Sequence, residues 1–167
     1  MTRFLLVATA IFEAVSFADT RAFPVSKAGS AAYDAYSENV FVTAPGKAIT
    51  VISTARDAII GTVPGTAGAT HAVNQGGKIL AIAPRELGGV LVQIINPRAL
   101  RIDREIEIPM AAVPFSVNRV GQDMLLFRGQ SSRVVQLISV GEGRVLKTLD
   151  ETITGHTPRR HERVTVG

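Results

Sequence analysis

The sequence predicts an all-β chain of about three four-stranded, propeller-like blades that form an incomplete ring and follow a signal peptide. Short apolar runs without helical periodicity recur along the chain, with a period of about 40 to 45 residues. That period, with about four strands in each unit, is typical of a β-propeller blade. An apolar segment behind a basic residue at the N-terminus predicts the signal peptide.

The N-terminal segment has the parts of a signal peptide. Arg3 makes the start basic, residues 4–12 (FLLVATAIF) are uninterruptedly apolar, and Ser16 and Ala18 are small residues where a signal peptidase cleaves. We therefore expect cleavage after Ala18 and a periplasmic or secreted protein. The run is too short for a stable bilayer-spanning helix, so no membrane span is expected after cleavage. Alternatively, the run is a first strand or a buried helix of the domain.

The remaining chain divides by composition. We predict a linker over residues 19–30, a propeller-like repeat domain over 31–150 and a polar, basic tail over 151–167. The net charge is +4, and from Gly155 to the end Arg159, Arg160 and Arg163 against Glu162 account for +2 of it. The body is nearly balanced, and its few aromatic residues do not alternate with basic ones, so nucleic-acid binding is not expected.

Three apolar runs, each closed by proline or glycine, align as one strand of the repeat. They are residues 39–45 (NVFVTAP), 78–84 (KILAIAP) and 123–129 (DMLLFRG). Because polar residues do not alternate regularly within them, these runs predict strands that are buried on both faces. An incomplete ring leaves two open blade faces, and we expect apolar strands such as 78–83 and 123–127 to line them.

Further runs complete each unit. The second run of the middle and last units matches closely, since Val92 and Val135 are 43 positions apart. The remaining predicted strands are residues 49–54, 92–97 and 135–140, then 59–64, 106–109 and 145–149, with 71–77 and 115–121 opening the second and third units. Residues 86–89 form an enlarged loop in the middle unit, where extra residues leave the strands undisturbed.

The third run of the middle unit is predicted to separate apolar from acidic residues. Alternation places Ile102, Ile106 and Ile108 on one face, and the opposite face carries the acidic residues Asp103, Glu105 and Glu107. An acidic row is a possible cation site. The favoured interpretation is a solvated outer strand whose charges protect an exposed edge, because Ca²⁺ sites usually come from tight loops.

The stretches VNQGGKILAIAP, LVQIINPRAL, NVFVTAP and ITVISTARDA resemble the repeats of the YVTN-type β-propeller family, which is related in pattern to quinoprotein-like and WD40-like propellers. The resemblance covers residues 31–149. Ser53 and Asn96 stand where the family favours aspartate, and the tyrosine and asparagine of the name motif are not kept. The resemblance implies a propeller fold. Its relatives include quinone-dependent dehydrogenases and lactonase-like hydrolases.

Few residues are candidates for chemistry. The chain has no cysteine, which excludes disulfides, cysteine-ligated zinc and a cysteine nucleophile. His71 opens an inner strand near the predicted channel and is a candidate ligand-binding residue, although its alignment with Phe115 favours a packed side chain. Arg85 and Glu86, in the enlarged loop, are candidate ligand-binding residues as well. His156 and His161 lack a usual metal-binding spacing. No catalytic, metal or cofactor site is predicted.

These observations predict an exported binding or interaction scaffold without an evident catalytic constellation. Its expected partners are a second copy of itself or another propeller-type chain that completes the ring, with a protein or small-molecule ligand besides. Two alternatives stay open. One is a propeller-type enzyme of the dehydrogenase-like or lactonase-like kind, and the other is a truncated, non-functional propeller fragment.

Overall fold

A computed structural model describes residues 23–25, 27–86, 88–109, 111–129 and 134–150. Within these residues twelve strands form three four-stranded antiparallel sheets, and no helix occurs. The predicted all-β, propeller-like fold class is thereby confirmed for this part of the chain. The predicted signal peptide and the whole of the predicted polar tail, with His156 and His161, lie outside the described residues.

Each sheet is one blade, and its strands follow one another in chain order. Blade 1 contains β1 (Ala31–Asp34), β2 (Asn39–Ala44), β3 (Lys47–Ser53) and β4 (Ala58–Val63). Blade 2 contains β5 (His71–Gln75), β6 (Lys78–Pro84), β7 (Val90–Asn96) and β8 (Arg101–Ile108). Blade 3 contains β9 (Pro114–Arg119), β10 (Met124–Gly129), β11 (Val134–Ser139) and β12 (Arg144–Asp150).

The blades pack face to face through two apolar clusters. Alternate side chains of each strand point to opposite faces of the sheet, so the middle blade contributes to both clusters. The first cluster joins blades 1 and 2 through buried residues that include Phe41, Ile49, Val51, Ile79 and Ile95. The second joins blades 2 and 3 through buried residues that include Leu80, Ile82, Val92, Leu125 and Phe127.

The first strands of the three blades, β1, β5 and β9, lie next to one another. Polar contacts reinforce this edge: Asn74 Nδ2 donates to the Tyr33 carbonyl oxygen at 2.8 Å, and Gln75 donates to the carbonyl oxygen of Gln122. The blades therefore converge on their first strands, as they do around the central channel of a propeller.

The structure corrects two predictions about strand faces. β10 is not buried on both faces but alternates between buried and half-exposed residues, because blade 3 has a neighbour on one side only among the described residues. Residues 78–83 do not line an open face, because β6 lies in the middle blade and packs on both neighbours. The outer faces belong to blades 1 and 3.

A third correction concerns β8. Ile102 does not share a face with Ile106 and Ile108: it packs against the cluster between blades 1 and 2, whereas the other two belong to the cluster between blades 2 and 3. A β-bulge causes the difference, since the register shifts between Ile94 and Ile95 and reverses the facing of the residues beyond it. The straight acidic row predicted for this strand is interrupted at the same point.

Candidate binding site

A cavity of about 920 Å³ opens at one end of blade 2, between the loop that joins β6 to β7 and the end of β8. Its size lies within the range of small-molecule sites. Apolar and charged side chains share its wall. The lining residues are Pro84, Arg85, Glu86, Gly88, Val90, Glu107, Ile108 and Pro109.

The enlarged loop shapes this cavity through two glycines. Gly88 and Gly89 have φ values of 92° and 83°, a conformation that glycine adopts at little cost. The Arg85 amide donates to the Gly89 carbonyl at 3.2 Å, and the Gly88 amide donates to the Arg85 carbonyl at 3.2 Å. Gly89 also approaches β8 so closely that a Cβ there would lie 2.5 Å from the Ile108 carbonyl oxygen. The loop is thus held against the strand that completes the cavity.

Three charged groups surround the opening. Arg85 Nε lies 3.2 Å from Glu107 Oε1, and both side chains are largely exposed. Glu86 makes no ion pair with another described residue. The cavity therefore carries one guanidinium and two carboxylates, and the arginine neutralises one of them. The arrangement suits a ligand with a cationic group and an apolar part, because the free carboxylate can pair with the cationic group and the two prolines can contact the apolar part.

Of the predicted candidates, the structure brings Arg85 and Glu86 to this cavity and leaves His71 out of its described lining. His71 Nε2 donates to the Phe115 carbonyl oxygen at 3.1 Å, and Nδ1 lies 3.0 Å from Thr70 Oγ1. Both ring nitrogens therefore have partners, and the imidazole links β5 of blade 2 to β9 of blade 3.

The sequence pattern predicts that Glu107 belongs to an edge-protecting row of charges, and nothing in the pattern connects it with the loop. The pairing of β7 with β8 brings it there, since Val90 pairs with Ile108 and Leu91 with Glu107. A meander of adjacent strands places the start of β7 beside the end of β8. That topology was the signal that could have joined residue 107 to residues 85–89.

The other acidic side chains of β8 have partners of their own. Glu105 Oε1 accepts a hydrogen bond from Gln93 Nε2 at 2.7 Å. Asp103 accepts one from Lys78 Nζ at 3.1 Å, and this bond holds the pKa of the Asp103 carboxyl below its ordinary value of 3.8. Within the described ranges no group of three or more His, Cys, Asp or Glu side chains has the arrangement of a metal site.

A second, smaller cavity of about 230 Å³ lies at the opposite end of blades 1 and 2. It borders Asp34, whose fully buried carboxylate accepts hydrogen bonds from the amide and hydroxyl of Ser37 at 3.0 and 2.7 Å. That carboxylate stabilises the turn between β1 and β2. Across the described parts of the chain, no helix has the length and hydropathy needed to cross a membrane.

Comparison with solved structures identifies the fold. Hydrazine synthase from Kuenenia stuttgartiensis matches 74% of this chain with a TM-score of 0.59 and 14% identity. The WD40 domain of coronin from Toxoplasma gondii matches 74% with a TM-score of 0.55 and 14% identity. A protein of unknown function from Bacteroides caccae matches 78% with a TM-score of 0.59 and 15% identity. The match spans 38%, 35% and 49% of those chains, respectively.

Comparison of the sequence with protein families and with curated proteins gives no match. No family model matches this sequence, and no curated protein matches it either. At identities of 14 to 15%, the structural similarity identifies the fold and not the activity. The described part of the chain is a three-bladed β-propeller segment, and it spans less than half the length of the structures that it matches.

Proposed function

We propose that this chain is a β-propeller-type binding scaffold of the YVTN repeat kind, and that its ligand binds in the cavity at the end of blade 2. The observation that carries the proposal is the enlarged β6–β7 loop, which places Arg85 and Glu86 beside Glu107 above an apolar floor. Propellers and other rigid scaffolds carry recognition on such loops, since the loop can vary without disturbing the strands.

The charge of the cavity indicates the class of ligand. Glu86 is the carboxylate that the arginine does not neutralise, and the accessible side chains of Pro84 and Pro109 offer apolar contacts nearby. A basic peptide segment with apolar neighbours fits this combination, because its ammonium group would pair with the carboxylate while its aliphatic carbons cover the apolar wall.

Fluorescence polarisation with a labelled hexapeptide that alternates lysine and leucine tests this proposal. We expect Glu86→Gln to weaken binding about fivefold, which corresponds to about 1 kcal/mol for a partly exposed ion pair. Glu142→Gln, in the turn between β11 and β12, is the matched control and should leave binding unchanged. A glutamate–leucine peptide that binds equally well, or a Glu86 variant without effect, would contradict the proposal.

The second candidate function is a propeller-type enzyme, and His71 is the residue on which the two functions differ. If the chain is a scaffold, we expect His71→Ala to leave peptide binding nearly unchanged, because the imidazole contacts Thr70 and Phe115 rather than the cavity. We also expect a scaffold to show no dehydrogenase or lactonase turnover when quinone or metal is added. Turnover that disappears in the His71 variant would favour the enzyme.

The proposal includes export and a partner. Residues 1–18 would direct the chain to the periplasm or outside the cell, and the protein recovered there would begin at Asp19. N-terminal sequencing tests this, and Met1 on folded cytoplasmic protein would refute it. The proposed partner is a second copy of the chain or another propeller-type chain, because the outer faces of blades 1 and 3 carry apolar side chains.

A further inference from the structure

The outer face of blade 1 carries an apolar row that crosses all four strands. Register pairs Tyr33 with Val40, Val40 with Ile52, and Ile52 with Ile59. Tyr33 and Ile59 are 51% and 41% exposed, Val40 is half-buried and Ile52 is buried. These four residues are called the receiving face below.

The same row of the repeat packs on the preceding blade in blades 2 and 3. In blade 2 its positions on β6, β7 and β8 are Ile79, Ile95 and Ile102, which pack in or against the cluster shared with blade 1, and its β5 position is Asn74. In blade 3 the same positions on β10, β11 and β12 are Leu125, Ile138 and Val145, which pack in or against the cluster shared with blade 2, and the β9 position is Arg119. On β2, β3 and β4 the receiving face of blade 1 therefore has the apolar composition and the register of a surface that packs against a blade.

Blade 3 carries the complementary surface on its own outer face. Leu126 pairs with Leu137 across β10 and β11, and Val135 pairs with Leu149 across β11 and β12. Leu149 is 49% exposed and the other three are half-buried. These four residues are called the presenting face.

The positions of the presenting face form blade-to-blade contacts elsewhere in the chain. Leu126 and Leu137 correspond to Leu80 and Ile94 of blade 2, and Val135 and Leu149 correspond to Val92 and Ile106. All four blade 2 residues pack in or against the cluster shared with blade 3. The presenting face of blade 3 is thus the surface on which a following blade packs.

We propose that two copies of this chain associate head to tail, with the presenting face of each on the receiving face of the other, and close a six-bladed ring. This proposal rests on the proposed function, in which the chain is a propeller-type scaffold that binds a second copy. The contact continues, between two chains, the packing already present between blades 1 and 2 and between blades 2 and 3.

The number of copies follows from the number of blades that a closed propeller ring needs. Propellers close with four to eight blades, and the only multiple of three in that range is six. A head-to-tail contact forms a closed ring when its rotation closes, and an open filament when it does not. Two copies are therefore the closed assembly that this surface favours, and each copy would use both of its faces.

Multi-angle light scattering on the full chain tests the assembly, and one exposed residue on each face tests the contact. We expect a particle of twice the chain mass of 17.7 kDa. Ile59→Lys and Leu149→Lys should each reduce it to monomers, because each places a charge in both interfaces of the ring. Val113→Lys is the matched control: Val113 is a 42% exposed aliphatic residue in the connection between blades 2 and 3, and it belongs to neither face.

Mixing the two monomeric variants tests the head-to-tail geometry. The Leu149→Lys chain keeps an intact receiving face and the Ile59→Lys chain an intact presenting face, so an equimolar mixture forms one undamaged interface and should regain dimers. A dimer in which like faces meet would not recover in this way. Circular dichroism and thermal unfolding of each variant distinguish loss of association from loss of folding.

Several results would overturn the proposal. A wild-type monomer at 100 µM would do so, including one in which residues 1–22 occupy the receiving face. Open filaments would exclude ring closure, and a mixture that stays monomeric would exclude the head-to-tail contact. Peptide binding in the cavity is measured separately on the monomeric variants, so a failed assembly with retained binding leaves the scaffold function standing.

Discussion

Gln93 and Gln136 occupy the same place in successive blades, and each ties its blade to the connection that precedes it. Gln93 Nε2 donates to the Gly65 carbonyl oxygen at 3.0 Å, between blades 1 and 2. Gln136 Oε1 accepts from the Ala112 amide at 2.6 Å, between blades 2 and 3. Both side chains are buried, so in blades 2 and 3 one side-chain amide satisfies a backbone group in the connection that leads into the blade.

We predict that Gln93→Ala lowers the free energy of unfolding by about 1–3 kcal/mol, because it leaves the Gly65 carbonyl and the Glu105 carboxylate without this donor. Thr50 holds the equivalent position in blade 1 and is only half-buried. Thr50→Ala is therefore the control, with an expected change below about 0.5 kcal/mol. Urea denaturation measures both. Equal losses for the two variants would contradict the bridging role of Gln93.

The repeat itself could be predicted from the sequence, as these glutamines illustrate. Their spacing of 43 positions, with apolar residues on either side, was sufficient to place β7 and β11 in equivalent units. The period of a blade and the alternation of its strands leave a direct pattern in the chain. The sequence contains no comparable pattern that identifies the residues of a site at the end of a blade.

The predicted face of Ile102 was wrong, and the role of Glu107 in the cavity was not predicted. Both differences have a physical explanation. A bulge adds one residue to one strand without any change in composition, so strict alternation assigned Ile102 to the wrong face. Glu107 is distant from the loop in sequence. It reaches the cavity because β8 pairs with β7, the strand that follows the loop. Arg85 and Glu86 could be predicted as candidates because the loop that holds them is visibly longer than its counterparts.

The aromatic side chain at the centre of blade 3 should dominate the packing of that blade. Phe127 is completely buried in the cluster between blades 2 and 3, and we predict that Phe127→Ala costs about 3–5 kcal/mol of stability. Tyr36, which is 79% exposed, is the matched aromatic control, and Tyr36→Ala should change stability by less than about 0.5 kcal/mol. Thermal unfolding followed by circular dichroism would contradict this prediction if both variants melted at the same temperature.

The Lys78–Asp103 contact should make a small contribution to stability that depends on pH. The hydrogen bond lowers the pKa of Asp103 from 3.8, so the contribution is present above pH 3.8 and disappears as the pH falls through the lower value of the folded state. Lys78→Met should raise the pKa of Asp103 towards 3.8, and Lys47→Met should not. Carboxyl ¹³C NMR titration measures the pKa directly, and an unchanged value in the Lys78 variant would refute this attribution.

Alanine variants of Gly88 and Gly89, the two adjacent glycines of the enlarged loop, distinguish the effect of backbone strain from that of a steric clash. Both have positive φ, so alanine at either position should cost about 1–2 kcal/mol of conformational free energy. Their surroundings differ: a Cβ at Gly88 meets nothing within 4 Å, whereas one at Gly89 would lie 2.5 Å from the Ile108 carbonyl oxygen and 3.1 Å from Pro109 Cα.

We therefore predict that Gly89→Ala destabilises the chain more than Gly88→Ala, because the loop must move away from β8 to admit the methyl group. The same displacement should disturb the cavity and lengthen the Arg85–Glu107 pair, so Gly89→Ala should also weaken binding of the lysine–leucine peptide while Gly88→Ala retains it. Urea denaturation and fluorescence polarisation measure the two effects on the same samples. Equal stability and equal binding in the two variants would mean that close packing of Gly89 on β8 does not shape the site.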